Sequence, residues 1–329
     1  MTAPEISVLG AGAWGTALAN LCAREGRRTL LWARDAQHVA DMRATRENAR
    51  RLPGVRLAGS IEPTTDFAQA AAARVVLAVA PAQGLRALAR AARAVVAPGA
   101  DWIVCAKGIE RETDAFMSEV LAQELPQAAP AVLSGPSFAE DVSRGLPTAV
   151  TLAARDAARG DELCRMIGAP TFRLYRSTDV RGVEIGGAAK NVLAIACGVA
   201  AGRELGASAV AALTARGFAE LTRFGAAFGA QPQTLMGLSG LGDLVLSCGS
   251  LQSRNFAFGH ALGRGASLDT ASGGKLAEGA FTARALVDMA RVRNIDMPIA
   301  EVVDRLVSGA LDVQGAIETL MMRPLKAEN

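Results

Sequence analysis

The sequence predicts an α/β fold in which a domain with a doubly wound parallel sheet is followed by a mainly α-helical domain. Short apolar segments alternate with helical segments through the first half of the chain, as in a parallel sheet covered by helices. After about residue 184 the pattern changes to long helical segments with glycine-rich breaks. Because 329 residues exceed one ordinary core, we assign residues 1–184 to the first domain and 185–329 to the second.

Five short apolar runs in the first half are predicted to be buried strands. They are residues 6–9, 28–32, 75–79, 102–105 and 131–133. In open α/β sheets ligands bind outside the carboxyl ends of the strands, so we expect the loops that follow these strands to form the walls of a site.

The first of these loops, Gly10-Ala11-Gly12-Ala13-Trp14-Gly15, lies between a predicted strand and a predicted helix. In that context the glycine spacing is the fingerprint of a dinucleotide site, since it permits a tight turn, a close approach to the pyrophosphate and helix-to-strand packing. The N-terminus of the helix stabilises the anion. A plain glycine-rich turn is the alternative. The pattern favours a Rossmann-type dinucleotide-binding domain.

The end of the second strand favours NADP(H) over NAD(H). The fingerprint expects an acidic residue there, whereas this chain has neutral residues followed by Arg34. A guanidinium pairs well with a 2′-phosphate. The alternative is that Asp35 holds Arg34 in a surface ion pair.

One lysine in an apolar helix is the candidate proton donor and acceptor. Only four of the 35 basic residues are lysines, so the chain uses arginine wherever any cation suffices. An arginine does not release its proton in a protein, whereas a partly desolvated lysine can. Lys190 precedes the apolar run from Val192 to Cys197 and fits ketone reduction, in which an ammonium polarises the carbonyl and gives up a proton. The alternative is a lysine that extends from a packed helix to solvent. For His38 and His260 we expect surface or packing roles.

Two later clusters suggest a small acidic substrate. Asp243 follows a glycine-rich turn, where it would orient Lys190 or a substrate hydroxyl, or only cap a helix. Ser253-Arg254-Asn255 offers a hydroxyl, a guanidinium and an amide in succession, which suits a phosphate, although a surface loop could hold the same triplet.

The composition argues against several kinds of partner. The formal charge of +3 is small and arginines alternate with acidic residues, so nucleic acid is not expected. No apolar run approaches the roughly 20 residues of a membrane span, and we see no export signal, so we expect a cytoplasmic protein without membrane insertion. The five cysteines lack metal-ligand spacing, so we expect reduced thiols and no metal. Four apolar residues of one late helix favour a homodimer: Val302, Val303, Leu306 and Val307.

Several motifs occur together and in order, and the chain thereby resembles the NAD(P)-dependent glycerol-3-phosphate dehydrogenases of the bacterial type. The motifs are the fingerprint with its tryptophan, Lys107-Gly108, Gly135 to Glu140, Gly186 to Asn191, Gly240 to Asp243 and Ser253 to Asn255. The resemblance spans Ile6 to about Pro298. It implies a Rossmann domain, a helical substrate domain, and reversible reduction of dihydroxyacetone phosphate to sn-glycerol 3-phosphate for glycerophospholipid synthesis.

The resemblance also implies roles for individual residues, with Lys190 as the catalytic residue and a contact of the phosphorylated substrate. The other residues implied for the substrate are Lys107, Gly135, Ser137, Asp243, Ser253, Arg254 and Asn255. Those implied for NADP(H) or NAD(H), together with the fingerprint residues Gly10, Gly12, Ala13 and Gly15, are Trp14, Arg34, Lys107, Ala139, Arg254, Leu276 and Glu278. Similar sequences usually have serine where this chain has Ala13, whose backbone amide would still serve the pyrophosphate.

Two other functions remain open on the residues. A hydroxyacid or ketopantoate-type reductase would share the lysine and the fold, but it would need a carboxylate-binding site in place of the cluster at Ser253. A protein that senses NADPH without turnover would keep the fingerprint and Arg34, but it would have no use for Lys190 with Asp243.

Overall fold

The chain forms two compact units, which the computed structural model describes over residues 5–274 and 277–323. The first unit comprises Met1–Lys107 and Ala115–Glu184, and the second comprises Gly108–Asp114 and Ile185–Asn329. Within the second unit the Arg111 guanidinium lies 5.7 Å from the centre of the Phe281 ring. This cation–π contact ties the short segment 108–114 to the rest of its unit.

A single eight-stranded sheet forms the centre of the first unit. Its strands are β1 (Ile6–Leu9), β2 (Thr29–Trp32), β3 (Ile61–Thr64), β4 (Val75–Ala78), β5 (Asp101–Val104), β6 (Ala129–Ser134), β7 (Thr148–Ala154) and β8 (Phe172–Ser177). Their order is β3-β2-β1-β4-β5-β6-β7-β8, and each pair is parallel except β6 with β7. The direction of winding reverses between β1 and β4, so the loop after β1 lies at the switch point where such sheets bind ligands.

Helices cover both faces of this sheet. They are α1 (Ala13–Arg24), α2 (Ala36–Thr45), α3 (Phe67–Ala71), α4 (Leu85–Ala92), α5 (Met117–Glu124), α6 (Ala139–Ser143) and α7 (Ala157–Ile167). Successive side chains of a strand point to opposite faces. Val8 therefore packs in a cluster with Leu18 of α1, whereas Leu9 packs in another with Leu85 of α4. The predicted doubly wound sheet is confirmed.

Three strands were not predicted, and each lacks the continuous apolar run of a central parallel strand. Strand β3 forms one edge of the sheet and contains Glu62 and Pro63, while β8 forms the other edge and carries two arginines. Strand β7 contains two threonines and three alanines. Edge strands tolerate proline and charge because one side makes no sheet hydrogen bonds, so their sequences resemble loops.

The second unit is helical, as predicted, and it begins inside a long helix. Helix α8 (Val180–Gly202) crosses the boundary at Glu184. The following helices are α9 (Ala207–Ala227), α10 (Pro232–Met236), α11 (Asp243–Cys248), α12 (Arg254–Gly263), α13 (Leu268–Ser272), α14 (Glu278–Val292), α15 (Pro298–Val307) and α16 (Val313–Met321). A π-helical turn, Leu238–Gly242, connects α10 to α11.

A buried carboxylate caps one of these helices. Glu220 of α9 is 2% exposed and accepts hydrogen bonds from the backbone N–H groups of Ile299 and Ala300, in the first turn of α15. These amides have no partner within their own helix, so the carboxylate satisfies them. Burial raises the pKa of Glu220 to about 7, against the lowering effect of the two hydrogen bonds.

Helix α8 is, among the described residues, the one helix that is long and apolar enough to cross a membrane. Within the protein, 94% of its most apolar 18-residue window is buried. Length and composition alone do not separate a membrane span from a core helix, and α8 is packed as a core helix.

The apolar face on which the homodimer prediction was based is not a free surface. Val302, Val303 and Leu306 of α15 are buried within the protein. Val307 is partly buried. The spacing of these residues along α15 places their side chains on the face that packs against the core of the unit. A helix on the outside of a globular protein buries its apolar stripe in this way.

Candidate active site

The glycine-rich loop after β1 has the geometry that a dinucleotide requires. Gly10 has φ 127°, and a Cβ there would lie 2.8 Å from the carbonyl oxygen of Val79. A Cβ on Gly15 would lie 1.9 Å from the carbonyl oxygen of Gly10. By contrast, a Cβ on Gly12 would meet nothing within 4 Å. The two outer glycines thus allow the chain to turn, and the middle one borders open space.

The start of α1 fits a pyrophosphate. Gly12 is the N-cap residue, no side chain caps the helix, and its first turn holds no acidic residue. The first amides of the helix are therefore available to an anion, and the helix dipole favours negative charge there. Ala13, Trp14 and Ala139 are partly buried and pack against one apolar cluster beside this loop. The residues present therefore fit a bound dinucleotide.

Arg34 lies exposed just after β2. Within residues 5–274 and 277–323 it forms no ion pair, because the neighbouring carboxylate is engaged elsewhere. Asp35 caps α2 through the backbone N–H of His38 and pairs with Arg50 at 3.0 Å. The hydrogen bond from His38, aided by Arg50, holds the pKa of the Asp35 carboxyl below its usual value. The surface pair between Arg34 and Asp35, the alternative considered from the sequence, is not what the structure shows.

Three predicted substrate residues of the first unit lie together. The Lys107 ammonium donates to the carbonyl oxygen of Gly135 at 3.0 Å, and the Ser137 hydroxyl donates to the same oxygen at 3.1 Å. Gly135 has φ 148°, and a Cβ there would lie 2.8 Å from the Cα of Val150. A side chain would thus clash with β7, which explains why glycine is needed at this position.

The predicted catalytic lysine is buried and oriented by two groups of α11. The Lys190 ammonium lies 2.9 Å from the carboxylate of Asp243 and 2.7 Å from the hydroxyl of Ser247. Lys190 is 8% exposed, and Asp243 and Ser247 are almost fully buried. Gly242 is the N-cap residue of α11, so Asp243 does not cap the helix but faces the lysine. This burial excludes the alternative in which the side chain of Lys190 extends to solvent.

Glycines explain how α11 comes so near to α8. A Cβ on Gly186 of α8 would lie 2.5 Å from the carbonyl oxygen of Ser239, in the π-helical turn. A Cβ on Gly240 would lie 1.9 Å from the carbonyl oxygen of Leu235. Because neither residue has a side chain, the turn approaches the helix closely one turn before Lys190, and Asp243 reaches the ammonium.

Helix α12 packs against α8 through a seam of four glycines, two on each helix. A Cβ on Gly198, Gly202, Gly259 or Gly263 would lie between 2.1 and 2.4 Å from a carbonyl oxygen of the facing helix. The two backbones are therefore in direct contact along two turns. This contact fixes the start of α12 beside the part of α8 that follows Lys190.

Two residues of the triplet at the start of α12 make hydrogen bonds that hold the fold together. Ser253 is the N-cap residue, and its hydroxyl accepts from the N–H of Phe256. The Asn255 amide donates to the side chain of Asn191 at 2.9 Å and accepts from the N–H of Gly279 at 2.9 Å. Arg254 is exposed and makes no ion pair with any described residue. Of the three, Arg254 has the side chain that is directed to solvent.

One further predicted cofactor residue lies at the start of α14. Glu278 is the first residue of that helix and is partly buried. Leu276 lies outside the described residues. Asn255 is bonded to the second residue of α14, so the side chain holds the start of α12 next to the start of α14.

Three buried residues of the site were not predicted. Ser247 follows Asp243 by four positions on α11, a spacing that places both on one face of the helix and was a usable signal. Asn191 follows Lys190 directly. Asn48 lies beneath the glycine-rich loop, and nothing in its surrounding sequence indicates that position. Among the residues that the structure describes, no group of three or more His, Cys, Asp or Glu side chains is arranged to hold a metal ion.

Comparisons with known proteins identify the family. The models of the N-terminal and C-terminal parts of NAD-dependent glycerol-3-phosphate dehydrogenase match residues 5–159 and 179–318. Curated relatives named glycerol-3-phosphate dehydrogenase [NAD(P)+] are 62% identical in Azorhizobium caulinodans and 59% identical in a Bradyrhizobium species, each over 98% of both chains. The crystal structure of glycerol-3-phosphate dehydrogenase from Coxiella burnetii is 36% identical, covers 98% of this chain and 99% of its own, and superposes with a TM-score of 0.93.

Proposed function

The chain belongs to the NAD-dependent glycerol-3-phosphate dehydrogenase family, and we propose that it carries out the reversible reduction of dihydroxyacetone phosphate to sn-glycerol 3-phosphate with Lys190 as proton donor and acceptor. Residues 1–184 bind NADP(H) or NAD(H), and residues 185–329 supply the lysine. The observation that supports this role is the buried ammonium held by Asp243 and Ser247.

Lys190 acts on the carbonyl oxygen of the substrate. The reduced dinucleotide, when bound, supplies the hydride to the carbonyl carbon. As the carbonyl becomes an alkoxide, the ammonium stabilises the growing negative charge and then donates its proton. In the reverse direction the neutral amine accepts the proton of the hydroxyl. Because the site is buried, these electrostatic interactions are stronger than they would be in water.

Asp243 and Ser247 orient the ammonium. The carboxylate compensates the buried positive charge, and without it the lysine would carry a large desolvation cost. The Ser247 hydroxyl accepts from Lys190 and lies 3.4 Å from the same Asp243 oxygen. Two fixed partners restrict the rotation of the long lysine side chain, which keeps the proton aimed in one direction.

Other residues bind the phosphate groups of the substrate and of the cofactor. Arg254 provides a guanidinium for the substrate phosphate, and its exposed side chain makes no ion pair with described residues. Lys107, fixed by the carbonyl of Gly135, provides a positive charge for the substrate or the cofactor. Arg34 serves the 2′-phosphate of NADP(H), since Asp35 is engaged by Arg50. A protein that only sensed NADPH would gain nothing from the buried Lys190–Asp243 pair.

Three further properties complete the proposal. The product supplies glycerophospholipid synthesis. The enzyme works in the cytoplasm, which fits its five unpaired cysteines. It forms a homodimer, for which the exposed apolar side chains Met236, Val245 and Leu251 offer contact area. Light scattering of the purified protein measures its mass in solution and tests the dimer.

The test of Lys190 is a comparison of turnover in Lys190→Met and Arg264→Met. Both variants lose one positive charge in the second unit, but Arg264 lies on the surface in a pair with Glu204. Absorbance at 340 nm follows NADPH and NADH oxidation with dihydroxyacetone phosphate, and unphosphorylated dihydroxyacetone is the substrate control. We expect kcat to fall by about 10³-fold in Lys190→Met and to be unchanged in Arg264→Met.

Direct NADPH titration and circular dichroism accompany the assay, because Lys190→Met removes the cation beside a buried carboxylate and can destabilise the fold. A folded Lys190→Met variant that binds NADPH and retains turnover would remove Lys190 from the mechanism. A parent protein that binds NADPH but oxidises none with dihydroxyacetone phosphate would overturn the substrate assignment and leave the dinucleotide site standing.

A further inference from the structure

A buried amide lies directly beneath the glycine-rich loop. Asn48, in the segment between α2 and β3, is fully buried. Its Nδ2 donates to the carbonyl oxygen of Ala11 at 3.0 Å and to the hydroxyl of Thr16 at 2.7 Å. The Thr16 hydroxyl in turn donates to the carbonyl oxygen of Gly12 at 2.8 Å. Two consecutive carbonyl groups of the loop are therefore held by one connected set of side-chain hydrogen bonds.

The orientation of the Asn48 amide follows from its partners. A backbone carbonyl can only accept, so the group facing Ala11 must be the nitrogen. The Asn48 Oδ1 then faces Nε2 of His38 at 2.7 Å, which acts as the donor. Every atom of the amide group has a partner of the right kind, so the side chain is fixed in one rotamer with one orientation.

Because hydrogen bonds hold these carbonyl groups, the directions of the N–H groups that follow them are also fixed. In a planar trans peptide the C=O of one residue and the N–H of the next point in opposite directions. With the carbonyls of Ala11 and Gly12 directed at Asn48 and Thr16, the N–H groups of Gly12 and Ala13 point away from the interior. That part of the loop borders the open space in which a Cβ on Gly12 would meet nothing.

We propose that Asn48 is a positioning residue for the dinucleotide, which aims the N–H groups of Gly12 and Ala13 at the pyrophosphate by holding the preceding carbonyls inward. The inference rests on the dinucleotide binding of the proposed function. Ala13 has no side-chain donor, so at this position the anion depends on the direction of backbone amides. Asn48 sets the direction of the Gly12 N–H through the Ala11 carbonyl. It acts on the Ala13 N–H through Thr16, whose hydroxyl and backbone N–H both bond the Gly12 carbonyl.

The side-chain amide of Asn48 also links the glycine-rich loop to the segment after β2. His38, which was expected to have a surface or packing role, is buried, and its backbone N–H bonds Asp35, next to Arg34. The hydrogen bond from His38 to Asn48 therefore connects the residues around the pyrophosphate with those proposed for the 2′-phosphate. The link explains why an asparagine, with donors on one side and an acceptor on the other, suits this position.

The first experiment is a direct NADPH titration, without substrate, of the parent protein, Asn48→Leu and Thr16→Val. Asn48→Leu keeps a similar volume and removes both donors, whereas Thr16→Val keeps the branched shape and removes the hydroxyl that holds Gly12. We expect NADPH binding to weaken about 10- to 100-fold in Asn48→Leu and about 3- to 10-fold in Thr16→Val. In the 340 nm assay we expect the KM for NADPH to rise by a larger factor than kcat falls.

Phosphorus-31 NMR of bound NADPH separates positioning from general loosening of the fold. In the variants the pyrophosphate resonances should move toward their free values, while the 2′-phosphate resonance stays at its bound position. Unchanged NADPH affinity in both variants, or equal shifts of all three phosphorus resonances, would overturn the inference. If Asn48→Leu does not fold, Thr16→Val carries the same test. A parent that binds no dinucleotide would instead overturn the proposed function, so the two failures are distinguishable.

Discussion

Replacing Gly259 by alanine tests whether the contact between α8 and α12 is as close as the structure shows. The added Cβ would lie 2.1 Å from the carbonyl oxygen of Ile195, whereas ordinary contact begins at 3.4 Å. The two backbones would have to separate by about 1.3 Å, and neither can yield by turning a side chain. The other three glycines of the seam would lose contact at the same time.

The expected cost is a balance of two terms. Overpacking of a rigid contact typically costs about 1–3 kcal/mol, and a seam of backbone atoms belongs at the upper end of that range. In the native helix alanine is more favourable than glycine by about 1 kcal/mol relative to the unfolded chain, which offsets part of the loss. We therefore expect Gly259→Ala to lower the free energy of unfolding by about 2 kcal/mol and Tm by about 5 °C.

Activity should fall as well, because α8 carries Lys190 and α12 carries Asn255. A displacement of about 1 Å between the two helices strains the 2.9 Å bond from Asn255 to Asn191, and we expect kcat/KM to drop about 10-fold or more. Gly160→Ala in α7 is the control, since its Cβ would meet the flexible Arg176 side chain at 3.1 Å and the Ala154 Cβ at an ordinary 3.8 Å. Calorimetry and the 340 nm assay measure both effects. A Gly259→Ala protein with the Tm and kcat/KM of the parent would refute the reasoning.

Three other predictions concern the dinucleotide site and a buried acid. Gly15→Ala, whose Cβ would meet a backbone oxygen at 1.9 Å, should abolish NADPH binding in titrations, whereas Gly59→Ala, with nothing within 4 Å, should leave it unchanged. Arg34→Ser should raise the KM for NADPH about 10-fold and leave the KM for NADH unchanged, and equal changes for both cofactors in the 340 nm assay would contradict its role. Because the pKa of Glu220 is raised from 4.5 to about 7, the native protein retains a proton that the unfolded chain releases. The stability of the parent relative to Glu220→Gln should therefore fall by up to about 3 kcal/mol as the pH rises from about 4.5 to about 7, and urea unfolding across that range that shows no such slope would contradict it.

The sequence was sufficient for features that depend on local pattern. The central strands are continuous apolar runs, since both faces of a parallel sheet are covered, and all five predicted runs coincide with strands. The glycine-rich loop was identified because its spacing has meaning only between a strand and a helix. Lys190 was chosen as the candidate proton donor from the contrast between a rare lysine and many arginines, which is a property of composition. None of these inferences required knowledge of contacts between residues that are distant in sequence.

The positions of the residues that were not predicted depend on contacts of that kind. Asn48 acts on a loop that lies more than 30 positions earlier in the chain, and an asparagine between a helix and a strand usually indicates only a turn. Its role becomes visible when the carbonyl groups of Ala11 and Gly12 are found to need donors, a requirement that arises in the folded backbone. The π-helical turn that brings Asp243 to Lys190 is likewise set by Gly186, which lies more than 50 residues before it.

The triplet Ser253-Arg254-Asn255 combines two residues that hold the fold together with one that is exposed. Adjacent residues of a helix differ in direction by about 100°, so their side chains meet different neighbours. Here the helix starts inside the triplet, so Ser253 caps it, Arg254 faces solvent and Asn255 turns inward to Asn191. The Ser253 hydroxyl and the Asn255 amide thus contribute to the fold, whereas Arg254 carries the exposed guanidinium that we propose for the substrate phosphate. Substitution of Asn255 should thus affect the packing of α8, α12 and α14, whereas substitution of Arg254 should weaken the affinity for the phosphorylated substrate without lowering stability.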